Sequence, residues 1–509
     1  MALSRTALLL LAVAALSLLS ADAALSAPAT KVCVLGSGIG GSSVAHFLKQ
    51  YTCESATAPC IDDIRIFERR DKVGGRMATV TIGGDTFEAG ASIIHPKNLH
   101  AVRFARLLNL NTKTGDDSDS DPKSNVSSSS SWFGIWDGSV FVFQTLPPPS
   151  PSSSAIYRKM YPILNSLVLA WRYGFSLLRM DRFVKEMIER FLLYYNDFES
   201  RPVFETVEEM LKWSGLYGLT HRTLQEELAD AGLSSRLVSE LVTVITRINY
   251  GQSVSISGLA GAVSLAGSDS GLWSVDGGNW QLAAGLISHT NATLHLHEGI
   301  DSISYAGGYY VLNSTKGNSY ACEVTVVATP LDELNMTISP PISVPSRSLQ
   351  HTFTTFVRGL LNPKYFGLNS ASEIPDLVGT LELPDVPFSC ISVLKKYSEE
   401  DMTYKLFSRA QLADVLLDQI FSKRKETARI NWPAYPHYEA PEVFAPIVLD
   451  GLHLYYINSF ESAASTIETS AVAAENVARL IISRMSGPSA NAPLIISSHS
   501  AEGILHTDL

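Results

Sequence analysis

A short β-branched apolar run at residues 31–35 breaks into the turn Gly36-Ser37-Gly38-Ile39-Gly40-Gly41, and apolar residues at helical spacing follow over residues 42–51. Residues 64–68 then alternate as a second strand, so the pattern predicts a strand-helix-strand unit early in the chain. Two stretches interrupt the periodicity: residues 114–131 are dominated by Asp and Ser, and residues 145–154 by Pro and Ser, compositions that predict exposed loops. Between them residues 132–144 read as a hairpin. From residue 155 to about 240 the apolar spacing is helical, with Phe183, Met187, Phe191 and Leu192 on one face. Strand signals return at residues 293–296, 309–312, 323–328 and 447–457, ahead of a final helix over 464–485. This alternation predicts one α/β sheet domain assembled from distant segments and a second domain built from the insertions.

A chain of 509 residues is too long for a single core and should divide into two or three lobes. Its net charge of -11 excludes a nucleic-acid partner, since phosphate binding needs a basic face. Arg5, the apolar run 7–19 and the small residues Ala21 and Ala23 read as an export signal over residues 1–23, the other reading being an uncleaved anchor. No later apolar run reaches the roughly 20 residues of a membrane-spanning helix. Sequons at Asn125, Asn291, Asn313 and Asn335 fit a glycosylated lumenal protein. Cys53 and Cys60 lie close together in a polar stretch and are predicted to bridge in an oxidising compartment, against the reading of two free surface thiols. Cys33 and Cys322 sit inside apolar strand-like runs, where a thiol is expected to act as a small buried hydrophobe. Nothing has metal-ligand spacing.

Gly36, Gly38 and Gly41 carry the spacing of a dinucleotide fingerprint, in which the first glycine allows the turn, the second admits pyrophosphate and the third lets helix and strand pack. Ser37 and Gly40 belong to the same turn. Glu68 ends the second strand, where an acidic residue binds ribose hydroxyls, and Arg69 follows it. Lys72-Val73-Gly74-Gly75-Arg76 supplies a second glycine pair whose amides and guanidinium can hold phosphates again. That pair resembles the double-glycine signature of the amine-oxidase-like FAD superfamily, which implies FAD as cofactor. In that superfamily the segment matching Phe87-Glu88-Ala89-Gly90-Ala91-Ser92, continued by Ile93, runs beneath the flavin. Thr466, Ile467 and Glu468 open the last helix, whose amides can face the flavin; Glu468 equally suits a capping box.

Longer strings narrow the resemblance. Glu88-Ala89-Gly90-Ala91-Ser92-Ile93-Ile94-His95-Pro96, Arg172-Tyr173-Gly174-Phe175, Asn249-Tyr250-Gly251-Gln252-Ser253 and the segment 465–470 are similar to the prenylcysteine oxidase family, also called prenylcysteine or farnesylcysteine lyases. The resemblance covers roughly residues 30–480 and departs at the Cys53/Cys60 loop and the Ser-rich stretch. It implies a Rossmann-like FAD-binding domain from residues 30–110, 246–335 and 441–485. A mixed helical and sheet substrate domain would take 111–245 and 336–440, leaving a tail at 486–509. It also implies oxidation of S-prenylcysteine with O2 and water to cysteine, a prenyl aldehyde and hydrogen peroxide, in the degradation of prenylated proteins. Hydride loss from the allylic carbon beside sulfur needs placement more than a strong base.

The prenyl tail calls for a slot lined by residues such as Leu178, Met180, Phe183 and Met187, whose alternative role is plain core. Arg172 is the candidate partner of the substrate carboxylate, with Tyr173 and Tyr250 beside it, and Arg172 can instead form a surface ion pair. His95 can steer water or a proton, or simply hold a turn before Pro96. A greasy product implies peripheral membrane contact, no obligate protein partner is evident, and the expected location is the secretory pathway, ending in a lysosome or vacuole lumen or outside the cell. An amine oxidase and a non-catalytic flavin or lipid binder are the alternatives, distinguished by flavin bleaching with polyamines and by ligand binding without peroxide.

Overall fold

The computed structural model describes residues 30–53, 61–114, 132–150, 152–196 and 201–485. The expected export signal, Cys60, Asn125 and the tail lie outside the described residues.

A five-stranded parallel sheet forms the centre, in the order Leu454–Tyr456, Val324–Val327, Lys31–Leu35, Asp63–Phe67, Thr293–His295. Its strands come from four distant parts of the chain, and the N-terminal strand occupies the middle. Val32, Cys33, Val34 and Leu35 are all buried, as expected of a parallel strand covered on both faces. Strand alternation then sorts the two layers. Val32 and Val34 pack with Val44 and Leu48 of the entry helix Ile39–Cys53 and with the closing helix Ile467–Met485. Cys33 and Leu35 face Ile303, Tyr310 and Leu312 of a four-stranded sheet.

Cys33 and Cys322 are joined across that second interface by a disulfide, with Cα atoms 5.9 Å apart. This corrects the reading of both as free buried thiols: each lies in an apolar run because the bridge itself sits in the core, a placement invisible while the two strands are 289 residues apart. Cys53 is also disulfide-bonded. Cys390 is a free buried thiol, pushed up to about 12 by burial.

The second domain is a seven-stranded sheet, in the order Phe421–Pro436, Leu349–Leu361, Asp401–Ser408, Cys390–Ser398, Leu377–Thr380, Phe133–Trp136, Phe141–Gln144. Helices from Ala155–Tyr173 to Gly258–Ala266 pack beside it. The small hairpin Thr79–Ile82/Asp85–Glu88 docks the two domains: Ile82 and Ala89 share a core with Phe356 and Trp432. Two expected elements shorten. The 447–457 strand is confined to Leu454–Tyr456 because Asp450 accepts bonds from the amides of Leu452 and Leu454, fixing a turn. The last helix starts at Ile467, where the Thr466 hydroxyl accepts from the Thr469 amide. No helix of the described residues is long and apolar enough to cross a membrane.

Candidate functional site

Where the entry helix meets the first strand, Gly36 adopts φ +108°, and a Cβ on Gly41 would lie 2.0 Å from the Gly36 carbonyl oxygen. The third glycine is therefore a packing requirement, and Gly41 faces no cavity. Ser37 is fully buried and donates through its amide (3.2 Å) and hydroxyl (2.6 Å) to Glu68, whose other oxygen accepts from the Arg70 amide at 3.0 Å. The carboxylate is thus held by three donors next to the glycine turn.

Gly36, Gly38, Gly40, Glu68, Arg69, Gly75 and Arg76 line one cavity together with Ala328, Thr329, Glu461 and Thr469. A second, aromatic-walled cavity is lined by Ala89, Gly90, Ala91, Phe407, Trp432 and Tyr435, with Arg247, Asn249, Gln350 and Arg409 among its polar residues. Ile39, Arg76 and Ser470 line both, so the two adjoin at the start of the closing helix. A Cβ at Gly90 would come 1.9 Å from the Arg76 carbonyl oxygen, which keeps the cavity floor against the double-glycine turn. An elongated dinucleotide with a flat tricyclic end fits this pair: bare backbone and a ribose-binding carboxylate in one chamber, small residues and aromatic rings in the next.

Thr466 and Ile467 line the aromatic-walled cavity, but Glu468 lines neither. Its carboxylate accepts from the amides of His100 (2.7 Å) and Ala101 (3.0 Å) and from the Tyr195 hydroxyl. It caps the neighbouring helix Leu99–Leu107, a role that differs from both expectations. Arg76 reaches the site already engaged, ion-paired with buried Glu461 and donating to the Ala434 carbonyl. Glu461 also receives Arg347 at 3.1 Å, and these cations hold its carboxyl below the usual range despite burial. Ser92 and Ile93 fall outside the cavities.

Several substrate assignments move. Arg172 forms a bidentate pair with Glu240 at 2.8 Å, joined by the Tyr173 hydroxyl at 3.0 Å, and neither residue lines the cavities. His95 is held by Asp269 (3.3 Å) and by the Lys97 amide (3.0 Å), away from both chambers. Met187 is core, Phe183 and Met180 pack against that core, and Leu178 is exposed. Tyr250 is buried behind the wall, edge-on to Tyr435 and tilted against Tyr438 at ring separations of 4.7 and 5.0 Å, and donates to the Ser465 carbonyl. Of the sequons, Asn291 and Asn335 are exposed, whereas Asn313 donates to the Ser302 hydroxyl.

The guanidinium groups at the cavity come from elsewhere. Arg247 ion-pairs with Glu382 and donates to the Thr380 hydroxyl at 3.0 Å, while its Nε is buried without a partner. Arg409, partly exposed, makes two 2.7 Å bonds to the same Glu382. Sequence reading missed this trio because its members are 135 and 27 residues apart. Lys405 is buried beside the domain junction, donating to the Glu88 carbonyl at 2.9 Å, and burial lowers it to about 8. Burial raises the Glu88 carboxyl to about 7. No cluster of metal ligands occurs among the described residues.

The sequence profile described as prenylcysteine lyase matches residues 157–492, and that of an NAD(P)-binding Rossmann-like domain matches residues 34–108. The chain is 60% identical to the farnesylcysteine lyase of Arabidopsis thaliana, covering 90% of this chain and 89% of that protein. It is 34% identical to prenylcysteine oxidase 1 of Homo sapiens, covering 91% of each. Among solved structures, a triple-mutant putrescine oxidase aligns with TM-score 0.56 at 12% identity, over 89% of this chain and 99% of that one. The cyclohexylamine oxidase of Brevibacterium oxydans aligns with TM-score 0.53 at 14% identity, over 90% and 100%. The distant structures show a shared fold, the cofactor is FAD, and on the profile match and the 60% identity the chain belongs to the prenylcysteine lyase family.

Proposed function

We propose that this chain oxidises the thioether of an S-prenylcysteine, farnesylcysteine being the leading substrate, with FAD held across the two adjoining cavities. The observation that carries the reading is the shared lining at Ile39, Arg76 and Ser470, which opens an aromatic-walled chamber directly onto the nucleotide chamber. Bound FAD supplies the two-electron acceptor, which O2 restores with release of hydrogen peroxide.

The protein's own part is placement. Trp432, Phe407 and Tyr435 offer apolar rings to the prenyl tail and limit water at the reacting carbon. Loss of hydride from that carbon leaves a cation shared between sulfur and the double bond. Water adds to it, the carbon–sulfur bond of the hemithioacetal breaks, and cysteine leaves as thiol beside a prenyl aldehyde. Arg409 and Arg247 replace Arg172 as candidates for the amino-acid carboxylate. Arg409→Gln is expected to raise KM for S-farnesylcysteine by roughly tenfold with little change in kcat, while the methyl ester of the same substrate responds weakly.

Secretory maturation, with a lysosomal, vacuolar or extracellular destination, is supported by the buried Cys33–Cys322 bridge, which requires an oxidising compartment. Protein matured through that pathway should be yellow, lose its flavin band with anaerobic S-farnesylcysteine, and release peroxide in air. Bleaching by polyamines alone would move the assignment to amine oxidation.

A further inference from the structure

The helix Ala155–Tyr173 presents its apolar residues the wrong way round for a globular protein. Ile156, Met160, Ile163, Leu167 and Trp171 recur at i, i+4, i+7, i+11 and i+15, which places them on one narrow stripe, and each is between 41% and 87% exposed. The opposite face holds the helix to the protein. There the Tyr161 hydroxyl donates to the Leu146 carbonyl at 2.7 Å, the Asn165 side chain accepts from the Leu146 amide at 2.8 Å, and Arg172 pairs with Glu240. The stripe runs about 22 Å at 1.5 Å per residue. Exposed Phe175 and Leu178 extend it into the turn and the first turn of the next helix, Ser176–Leu192.

Its charge is as one-sided as its polarity. The helix contains Arg158, Lys159 and Arg172 and no acidic residue, within a chain of net charge -11. Glu240 neutralises Arg172 and Arg158 turns to the opposite face, donating to the Ser153 carbonyl, so Lys159 flanks the stripe as a free cation, with Arg182 and the ion-paired Asp181 and Lys185 beside Leu178 on the following helix. An apolar ridge with Trp at one end and a cationic margin matches the boundary between anionic headgroups and acyl chains.

We infer that this ridge seats the enzyme on an anionic lipid bilayer, inserting one helix face into a single leaflet. The Arg172–Glu240 pair ties the ridge to the helix that carries Arg247 into the aromatic-walled cavity, two turns beyond Glu240. The seat thus lies on the cavity's own supporting element. The inference goes beyond the thioether reading and draws from it only the advantage that a prenyl tail partitions into lipid.

The test uses the mature flavin-loaded protein and flotation with phosphatidylcholine vesicles, with and without phosphatidylserine. Wild type should float with the phosphatidylserine vesicles, and brominated lipid should quench its emission. Ile163→Asp with Leu167→Asp should lower vesicle binding at least about tenfold, with the flavin band and melting temperature unchanged because both positions face solvent. Trp171→Phe should abolish the quenching while retaining binding. Flotation undiminished in the double variant, no binding of wild type to either vesicle, or a dimer that the double variant dissociates in lipid-free buffer would each overturn the inference. None of these readouts needs turnover, so failure here is separate from failure of the thioether reading.

Discussion

Glu68 receives three bonds from protein donors while lining the nucleotide chamber, so it fixes the glycine turn as well as meeting a ribose. Glu68→Ala is expected to weaken FAD retention by roughly 10–100-fold, read by fluorescence of released flavin, because charged hydrogen bonds contribute about 1.5–3 kcal/mol. Glu88 makes a pH prediction. Its folded-state carboxyl is raised to about 7 by burial, and one of its oxygens is buried without a partner. A raised carboxyl gives stability that is fully present below the unfolded value near 4.5 and is lost as pH rises through about 7. Melting temperature should therefore fall between acidic and neutral buffer by an amount equivalent to roughly 1–3 kcal/mol, and Glu88→Gln should flatten that slope. Residues of the glycine turn were readable in sequence because their geometry is local. For Arg172 the sequence left carboxylate binding and an ion pair both open because its partner Glu240 lies 68 residues away, and Glu461 escaped notice because nothing near it in sequence announces Arg76 or Arg347.

At the scale of elements, the closing helix does two jobs at one end. Thr466 caps it and faces the aromatic-walled cavity, while Glu468 caps the helix Leu99–Leu107. Glu468→Ala orphans two amides and the Tyr195 hydroxyl and should lower stability by roughly 2–4 kcal/mol, seen as an earlier calorimetric transition. Its flavin spectrum should stay near wild type, since the side chain does not line the cavities. The first strands and entry helix were legible because each has one strong period. The seven-stranded sheet was not. Its longest strand, Phe421–Pro436, carries Lys423, Arg424, Lys425 and Glu426 in succession, so one-sided exposure and ion pairing hide the alternation. Only the hairpin at its far edge, Phe133–Trp136 with Phe141–Gln144, showed a clean pattern.

At the scale of the molecule, the N-terminal strand lies between the next strand in sequence, Asp63–Phe67, and one that the chain supplies much later, Val324–Val327, and a bridge of 289-residue separation locks that arrangement. Cys33→Ser with Cys322→Ser is expected to lose up to about 5 kcal/mol by the loop-entropy argument, measured by denaturant titration. That the sheet is assembled from scattered segments could be anticipated from returning strand signals; that its centre is stapled could not, because two cysteines in apolar runs look alike whether paired or free.

The staple also sets an order of events during biogenesis. In the oxidising lumen proposed above, the thiol of residue 33 would arrive first, and residue 322 only after most of the polypeptide has been made. Earlier cysteines, Cys53 and Cys60, pass by in the interval. Correct pairing must therefore await the emergence of residue 322 or be restored by exchange, and the yield of active enzyme from any host should track its capacity for disulfide isomerisation more closely than its supply of riboflavin.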